Sequence, residues 1–140
     1  MESLTNVRYI PKYNLNVPSW DEVIQDINKS VEAKEIVKHV CPAFLVSHNS
    51  HRIPKIKNVL NDINCSESHT YVNLLASDIG FGRHKDTMDV WFWQAIGETE
   101  WYFDNGEVYH LVPGDMIEIP AGVYHRVVSK TPRCGISMSR

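Results

Sequence analysis

The sequence predicts a mainly β protein: a jelly roll with two N-terminal helices packed outside it. Three observations carry that expectation. From Thr70 to Ser139, short apolar runs recur at regular spacing, separated by Gly, Pro and Asn turn residues. Helical periodicity is confined to two stretches before residue 64. No apolar run approaches the length of a membrane span. Many short strands beside segregated helices suit a closed or double-sheet β architecture.

Residues 1–18 read as an extended arm, interrupted at Pro11 and Pro18. Ser19 opens the first helix: Ser19 and Glu22 have capping-box spacing, and Trp20, Val23, Ile24 and Ile27 fall at i, i+3, i+4 and i+7. The helix fades near Lys29-Ser30. Glu35–Val40 and Phe44–Val46 read as strands, separated by Cys41-Pro42, because Pro42 breaks the ladder. His48-Asn49-Ser50-His51 reads as a polar loop; its two histidines are ligand candidates, but without an acidic partner such a pair more often faces solvent. Pro54 suits the first turn of a second helix over 53–63, with Ile53, Ile56, Leu60 and Ile63 as its apolar stripe.

The strands then follow in series. Tyr71–Ala76 is the first, and the glycines of Asp78–Gly82 permit a tight loop after it. Met88–Ala95 is apolar on both faces at Val90-Trp91-Phe92-Trp93, as a central strand would be. Glu100–Phe103 and Glu107–Val112 flank Asp104-Asn105-Gly106, which suits a type I′ hairpin. Pro113-Gly114-Asp115 and Pro120-Ala121-Gly122 bracket Met116–Ile119. Tyr124–Ser129 and Cys134–Ser139 complete the set.

Composition narrows the function classes. A chain of 140 residues with 43% hydrophobic and 22% charged residues reads as one soluble domain. We expect the arm, helices and edge strands in 1–66 and a metal-binding core in 67–140. A net charge of −3 makes no case for nucleic acid or an anionic membrane. The N-terminus shows no signal pattern, and Cys41, Cys65 and Cys134 show no Cys-x-x-Cys spacing. A cytoplasmic, reducing setting is the expectation, with each cysteine a small buried hydrophobe.

The chemistry centres on His84-Lys85-Asp86, which reads as the start of the strongly apolar strand through Val90-Trp91-Phe92-Trp93. Residues two apart on an extended chain face the same way, so His84 and Asp86 project together while Lys85 points away. One imidazole and one carboxylate make two thirds of a 2-His-1-carboxylate site, the arrangement that leaves positions open on non-haem Fe(II). His125, after the Pro120-Ala121-Gly122 turn, is the candidate third ligand. His-x-Asp alone is common by chance, and a surface pair is the competing reading.

Leu111-Val112-Pro113-Gly114-Asp115, followed by Pro120-Ala121-Gly122-Val123-Tyr124-His125, resembles the second motif of the cupins, P-G-D then P-x-G-x-x-H. Gly80-Phe81-Gly82-Arg83-His84-Lys85-Asp86-Thr87-Met88-Asp89-Val90, with Gln94, Gly97 and Trp101, is similar to the JmjC-like branch. That branch shows G-x-G-x-H-x-D-x-x-D-V, then Gln, Gly and Trp. The resemblance covers roughly residues 70–140. It implies a cupin-type double-stranded β-helix, Fe(II) held by His84, Asp86 and His125, and 2-oxoglutarate as cosubstrate. Many members place a lysine for the cosubstrate carboxylate two residues after the glycine matched by Gly97; here that residue is Thr99. Other 2-oxoglutarate oxygenases use an arginine on the last core strand, which Arg133 matches. An exposed strand-end arginine is the alternative. Asn73 and Thr99 are candidates for further hydrogen bonds to the cosubstrate.

Several residues stay open between site and scaffold. His110 points inward near the metal or is satisfied in the barrel wall. Trp91, Trp93, Trp101 and Tyr102 line a pocket or fill the core. Asp89 supports a ligating histidine or caps a turn. The leading reading is an Fe(II)/2-oxoglutarate-dependent oxygenase acting on a small-molecule or peptide substrate. A metal-binding cupin without 2-oxoglutarate, whether a small-molecule dioxygenase or an isomerase, competes with it, as does a ligand-binding module. A homodimer is the assembly left open.

Overall fold

The structure, a computed structural model, describes residues 3–35, 37–41, 43–77 and 81–140. For residues 39–41 it describes the backbone alone. The expected break at Pro42 and loop at Asp78-Ile79-Gly80 lie outside the described residues.

Strand β1 (Arg8–Ile10) precedes helix α1 (Trp20–Glu32). Strands β2 (Val37–Cys41) and β3 (Phe44–His48) lead through a 3₁₀ turn, Ser50–Arg52, to helix α2 (Pro54–Asp62). Then come β4 (Glu67–Asn73), β5 (Val90–Ile96), β6 (Thr99–Phe103), β7 (Val108–Leu111), β8 (Met116–Ile119), β9 (His125–Ser129) and β10 (Arg133–Ser139). One sheet has the order β1-β8-β5-β10-β4-β3-β2 and the other β7-β6-β9. Every pairing is antiparallel. The expected jelly roll with outer helices is the observed fold.

Two apolar cores follow from strand parity. On the outer face of the large sheet, Trp91, Trp93, Cys134, Ile136 and Met138 pack against Val23 of α1 and Ile56, Val59 and Leu60 of α2. Between the sheets, Val90, Phe92, Trp101, Phe103, Leu111, Ile117 and Ile119 form the second core. Alternation along β5 thus sends Val90 and Phe92 inward and Trp91 and Trp93 outward. Trp91 and Trp93 are scaffold, not pocket wall.

Ser19 caps α1 with the full reciprocal capping box, and Pro54 occupies the first turn of α2. The buried face of α1 is rotated from the expected stripe. Ile24 is 51% exposed, whereas Asp26 and Ser30 are buried. Arg52 is the reason: its Nε donates to Asp26 at 3.0 Å, its Nη2 reaches Ser30 Oγ, and its Nη1 meets Glu35 at 2.8 Å.

Three further expectations change. The arm contributes a real strand, β1, at the edge of the large sheet beside β8. The strand expected over Tyr71–Ala76 starts four residues earlier and ends three earlier, so Leu74 and Leu75 leave the ladder exposed. The Asp104-Asn105-Gly106 hairpin is not type I′, which needs positive φ at both central residues. Gly106 alone has it, at +89°, and its N–H donates to the Phe103 carbonyl at 3.0 Å. That is a type I turn closed by a left-handed glycine. No helix among the described residues is long and apolar enough to cross a membrane.

Candidate metal centre

His84 does not begin β5, as the sequence suggested. It sits six residues before that strand, on a single antiparallel bridge to His125 at the start of β9. The bridge is complete: His84 N–H donates to the His125 carbonyl at 2.9 Å, and His125 N–H returns to His84 at 2.8 Å. Gly82 (φ +69°) turns the chain into the bridge. Gly122 (φ +83°) turns it on the other side and donates its N–H to the Asp86 carbonyl at 2.9 Å.

One donor atom each from His84, Asp86 and His125 lies within 4.8 Å of the other two. Asp86 Oδ2 is 3.6 Å from His125 Nε2. Both imidazoles are oriented through Nδ1: His84 Nδ1–H donates to the Gly82 carbonyl at 2.8 Å, and His125 Nδ1–H to the Val123 carbonyl at 2.9 Å. A carbonyl can only accept, so each neutral ring keeps its lone pair on Nε2. Backbone support of this kind fixes the tautomer that a metal requires. Burial pushes His125 below its ordinary value, outweighing the pull of Asp86. Two neutral imidazoles and one carboxylate form a donor set that fits a divalent cation.

The cavity around the triad, about 500 Å³ counting the solvent-open space at its mouth, includes Phe44, Tyr71, Phe81, Phe92, Trp101 and Arg133 in its lining. Trp101 stacks over His125 with ring centroids 5.8 Å apart. Arg133 is 3% exposed and reaches the interior, not solvent. Its Nε donates to Ser129 Oγ at 3.2 Å, and its guanidinium lies over Phe44 (5.3 Å) and Phe92 (5.8 Å). Its Nη1 has no hydrogen-bond partner among the described residues. Burial pushes it down to about 10, so it remains a cation at neutral pH.

The other candidates divide. Asn73 Nδ2 donates to the same Ser129 Oγ at 3.2 Å, so Asn73 is one hydrogen bond removed from Arg133. Thr99 is fully buried, donates to Gln94 Oε1 at 3.1 Å and accepts from Trp101 Nε1 at 2.9 Å. Its hydroxyl is committed within the barrel wall and does not line the cavity. His110 fits neither expectation: it is half exposed, 3.8 Å from Glu98 and 4.0 Å from Glu100. Tyr102 lies outside, beneath Arg126 and bonded to Glu100. Asp89 accepts from Leu4 N–H and Ala121 N–H, both at 2.8 Å, so it pins the arm to the turn before His125.

Tyr71, Phe44, Phe81 and Ser137 also line the cavity and were not singled out from the sequence. Parity could have found two of them. Ser137 shares a face with Arg133, and Tyr71 with Asn73. Phe44 and Phe81 carry no local signal.

No protein-family model matches the sequence, and no curated protein matches it. Among solved structures it is similar to the Escherichia coli ribosomal oxygenase YcfD, with TM-score 0.71 at 16% identity over 94% of this chain and 48% of that one. YcfD in complex with cobalt and 2-oxoglutarate aligns with TM-score 0.70 at 16% identity, over 95% and 47%. KdgF from a Halomonas species aligns with TM-score 0.51 at 16% identity, over 77% and 91%. The chain spans about half the length of the YcfD chain it matches. These likenesses show the fold alone, an antiparallel jelly roll of two sheets.

Proposed function

We propose that the protein is an Fe(II)- and 2-oxoglutarate-dependent oxygenase. It would couple oxidative decarboxylation of 2-oxoglutarate, giving succinate and CO₂, to hydroxylation of a substrate C–H bond. The observation that carries this reading is Arg133. A buried guanidinium with no carboxylate partner among the described residues costs several kcal/mol in desolvation. An anion is what it lacks, and the cavity that would receive one also holds His84, Asp86 and His125.

His84 and His125 would offer Nε2 lone pairs and Asp86 a negative charge, leaving further positions open on the metal. Bound there, iron supplies the one-electron and O₂ chemistry. The chain's own part is placement. Arg133 binds the distal carboxylate of the 2-oxoacid, held in place by Ser129 and, through it, Asn73. Phe44 and Phe92 flank the Arg133 guanidinium, and an apolar setting strengthens a charge-assisted pair. Arginine here takes the place of the absent lysine at Thr99.

The test is succinate formation from 2-oxoglutarate by iron-loaded protein under air, with His84→Ala as control. Slow uncoupled turnover is expected without the true substrate. Intact iron loading with no succinate above the control and no 2-oxoglutarate binding would sink the oxygenase reading and leave a metal cupin of another activity.

A further inference from the structure

Cross-strand partners share a face of a sheet, so register carries the rung of Tyr71 out to the sheet edge. Gly135 pairs with Tyr71, Tyr71 with Val46, and Val46 with Lys38 on the edge strand β2. Tyr71 lines the metal cavity, so Lys38 projects from the same inner face. The next rung is Ser137, His69 and His48. These two rungs floor a second groove of about 640 Å³, counting the solvent-open space at its mouth. Tyr71, Phe81, Asp86, Val90 and Ser137 line both the groove and the metal cavity, so the two are continuous. A molecule lying in the groove therefore has one end beside the metal ligands.

The groove has apolar walls and a cation at one end. Phe81 is 41% and Met88 44% exposed, and both line it with Val46 and Val90. Large apolar side chains left uncovered in a concave wall make room for an apolar body. Asp86 is the one carboxylate lining it among the described residues, and it belongs to the metal centre. His48 and His69 are bound to each other, Nδ1 to Nδ1 at 2.7 Å. Burial, then the neighbouring His48, pushes His69 below the ordinary histidine range, so His69 adds no charge at neutral pH. Lys38 is different. It is exposed, makes no ion pair among the described residues, and holds its ammonium 5.8 Å from the Phe81 ring centroid. That ring is in turn 5.7 Å from the His84 ring. An unpaired cation thus stands two ring contacts from the metal ligands, across an apolar wall.

We infer that this groove takes the substrate, a small monoanionic acid whose carboxylate meets Lys38 while its apolar chain runs along Phe81 and Met88 toward the metal. One ammonium, a compact point charge, balances one negative charge. A phosphate dianion would want a second cation, and the groove offers no other lysine or arginine among the described residues. A cationic chain would meet Lys38 with like charge, and a neutral one would forgo the pairing. Arg133 lies one rung deeper, beside Asn73, so the 2-oxoacid and the substrate have separate cations. Lysines on edge strands also deter pairing between sheets. That role alone predicts self-association of a Lys38 variant with ligand affinity unchanged. The inference rests on the oxygenase reading for the word substrate, but its test does not use turnover.

The experiment is ¹³C-methyl NMR of the methionines near neutral pH, on Zn(II)-loaded and on metal-free protein. Met116 and Met138 are fully buried, so Met88 reports the groove. The probes are hexanoate, hexanol, hexylammonium and hexyl phosphate. Hexanoate should shift the Met88 methyl saturably and bind at least about threefold tighter than each of the others. Affinity should rise about two- to fourfold per methylene from propionate to hexanoate. The advantage over hexanol should hold without zinc, because a carboxylate seated on the metal would lose it. Lys38→Met should remove that advantage and leave hexanol binding unchanged, and Lys38→Arg should keep it. Arg133→Met should leave the Met88 response intact, which separates the groove from the cosubstrate end. Four results overturn the inference: no saturable Met88 shift up to about 100 mM hexanoate, hexanol or hexyl phosphate binding as tightly as hexanoate, an advantage that vanishes with the zinc, or one that survives Lys38→Met. The wild-type comparison with and without zinc decides the matter even where a variant self-associates. Succinate formation without a charge-dependent Met88 response keeps the oxygenase reading and removes this one. A charge-dependent response in protein that forms no succinate keeps the acid-binding groove and removes the oxygenase.

Discussion

Arg133 sets stability against binding at a single residue. Its guanidinium is desolvated and short of an anion, so removing the charge relieves a cost that the empty protein bears. Arg133→Met should leave the unfolding midpoint of the ligand-free protein unchanged or raise it. The same change should weaken 2-oxoglutarate at least about tenfold, because a charge-assisted bidentate pair is worth about 1.5–3 kcal/mol. Calorimetry on both proteins reads the two quantities together; a destabilised variant with unchanged affinity would make Arg133 a structural residue. His125 gives a pH prediction. Burial holds it below its ordinary value of 6.5. Between those two values the unfolded chain binds a proton that the folded protein does not. Stability is therefore full above about 6.5 and falls as pH drops through it. The metal-free protein should lose thermal stability between about pH 7 and pH 5, and His125→Gln should lose less over the same range.

At the scale of elements, the turns do most to place the site. Gly97 has φ +74°, and a Cβ there would lie 2.1 Å from the Pro132 carbonyl oxygen, a backbone atom that cannot swing away. Gly122 has φ +83° with nothing near. Gly122→Ala should thus cost only the left-handed strain, about 1 kcal/mol. Gly97→Ala adds a steric clash and should cost about 1–3 kcal/mol more; equal losses in urea unfolding would remove the clash from the account. These turns explain how much of the fold was legible. Alternation and Gly/Pro punctuation placed Met116–Ile119 to the residue and most other strands within two. Where alternation fails, so did the reading. Val90-Trp91-Phe92-Trp93 is apolar on both faces, so the residues alone do not say which pair faces the site. Only the helices packed on one side decide that. His84 was placed at a strand start because period-two spacing looks the same on a one-residue bridge. The pairing of His48 with His69 depends on the β3–β4 register, which no local pattern reports.

For the whole molecule, the relation between the two cores and the metal ligands decides what a bound ion does. Both cores close without the triad: the outer one between helices and sheet, the inner one between the sheets. The segment carrying His84 and Asp86 joins the rest through the bridge to His125, the Asp86–Gly122 hydrogen bond, the Arg83–Asp104 ion pair and the Asp89 contacts. Metal binding should therefore tighten an already folded protein rather than fold it, in contrast to small zinc domains. At a free metal concentration a hundred times the dissociation constant, the added stability is about 2.7 kcal/mol. Mn(II) or Co(II) should raise the unfolding midpoint of the native chain and slow amide exchange across residues 82–89. Asp86→Ala should keep the native circular dichroism spectrum and metal-free midpoint, because Asp86 belongs to neither core, yet lose the metal-induced shift. Asp86 is the only negative charge in the donor set, so two neutral imidazoles would be left to hold the ion alone. An Asp86→Ala variant that kept the full metal-induced shift would remove Asp86 from the centre. One that unfolded without metal would show that the loop supports the cores, contrary to the packing described above.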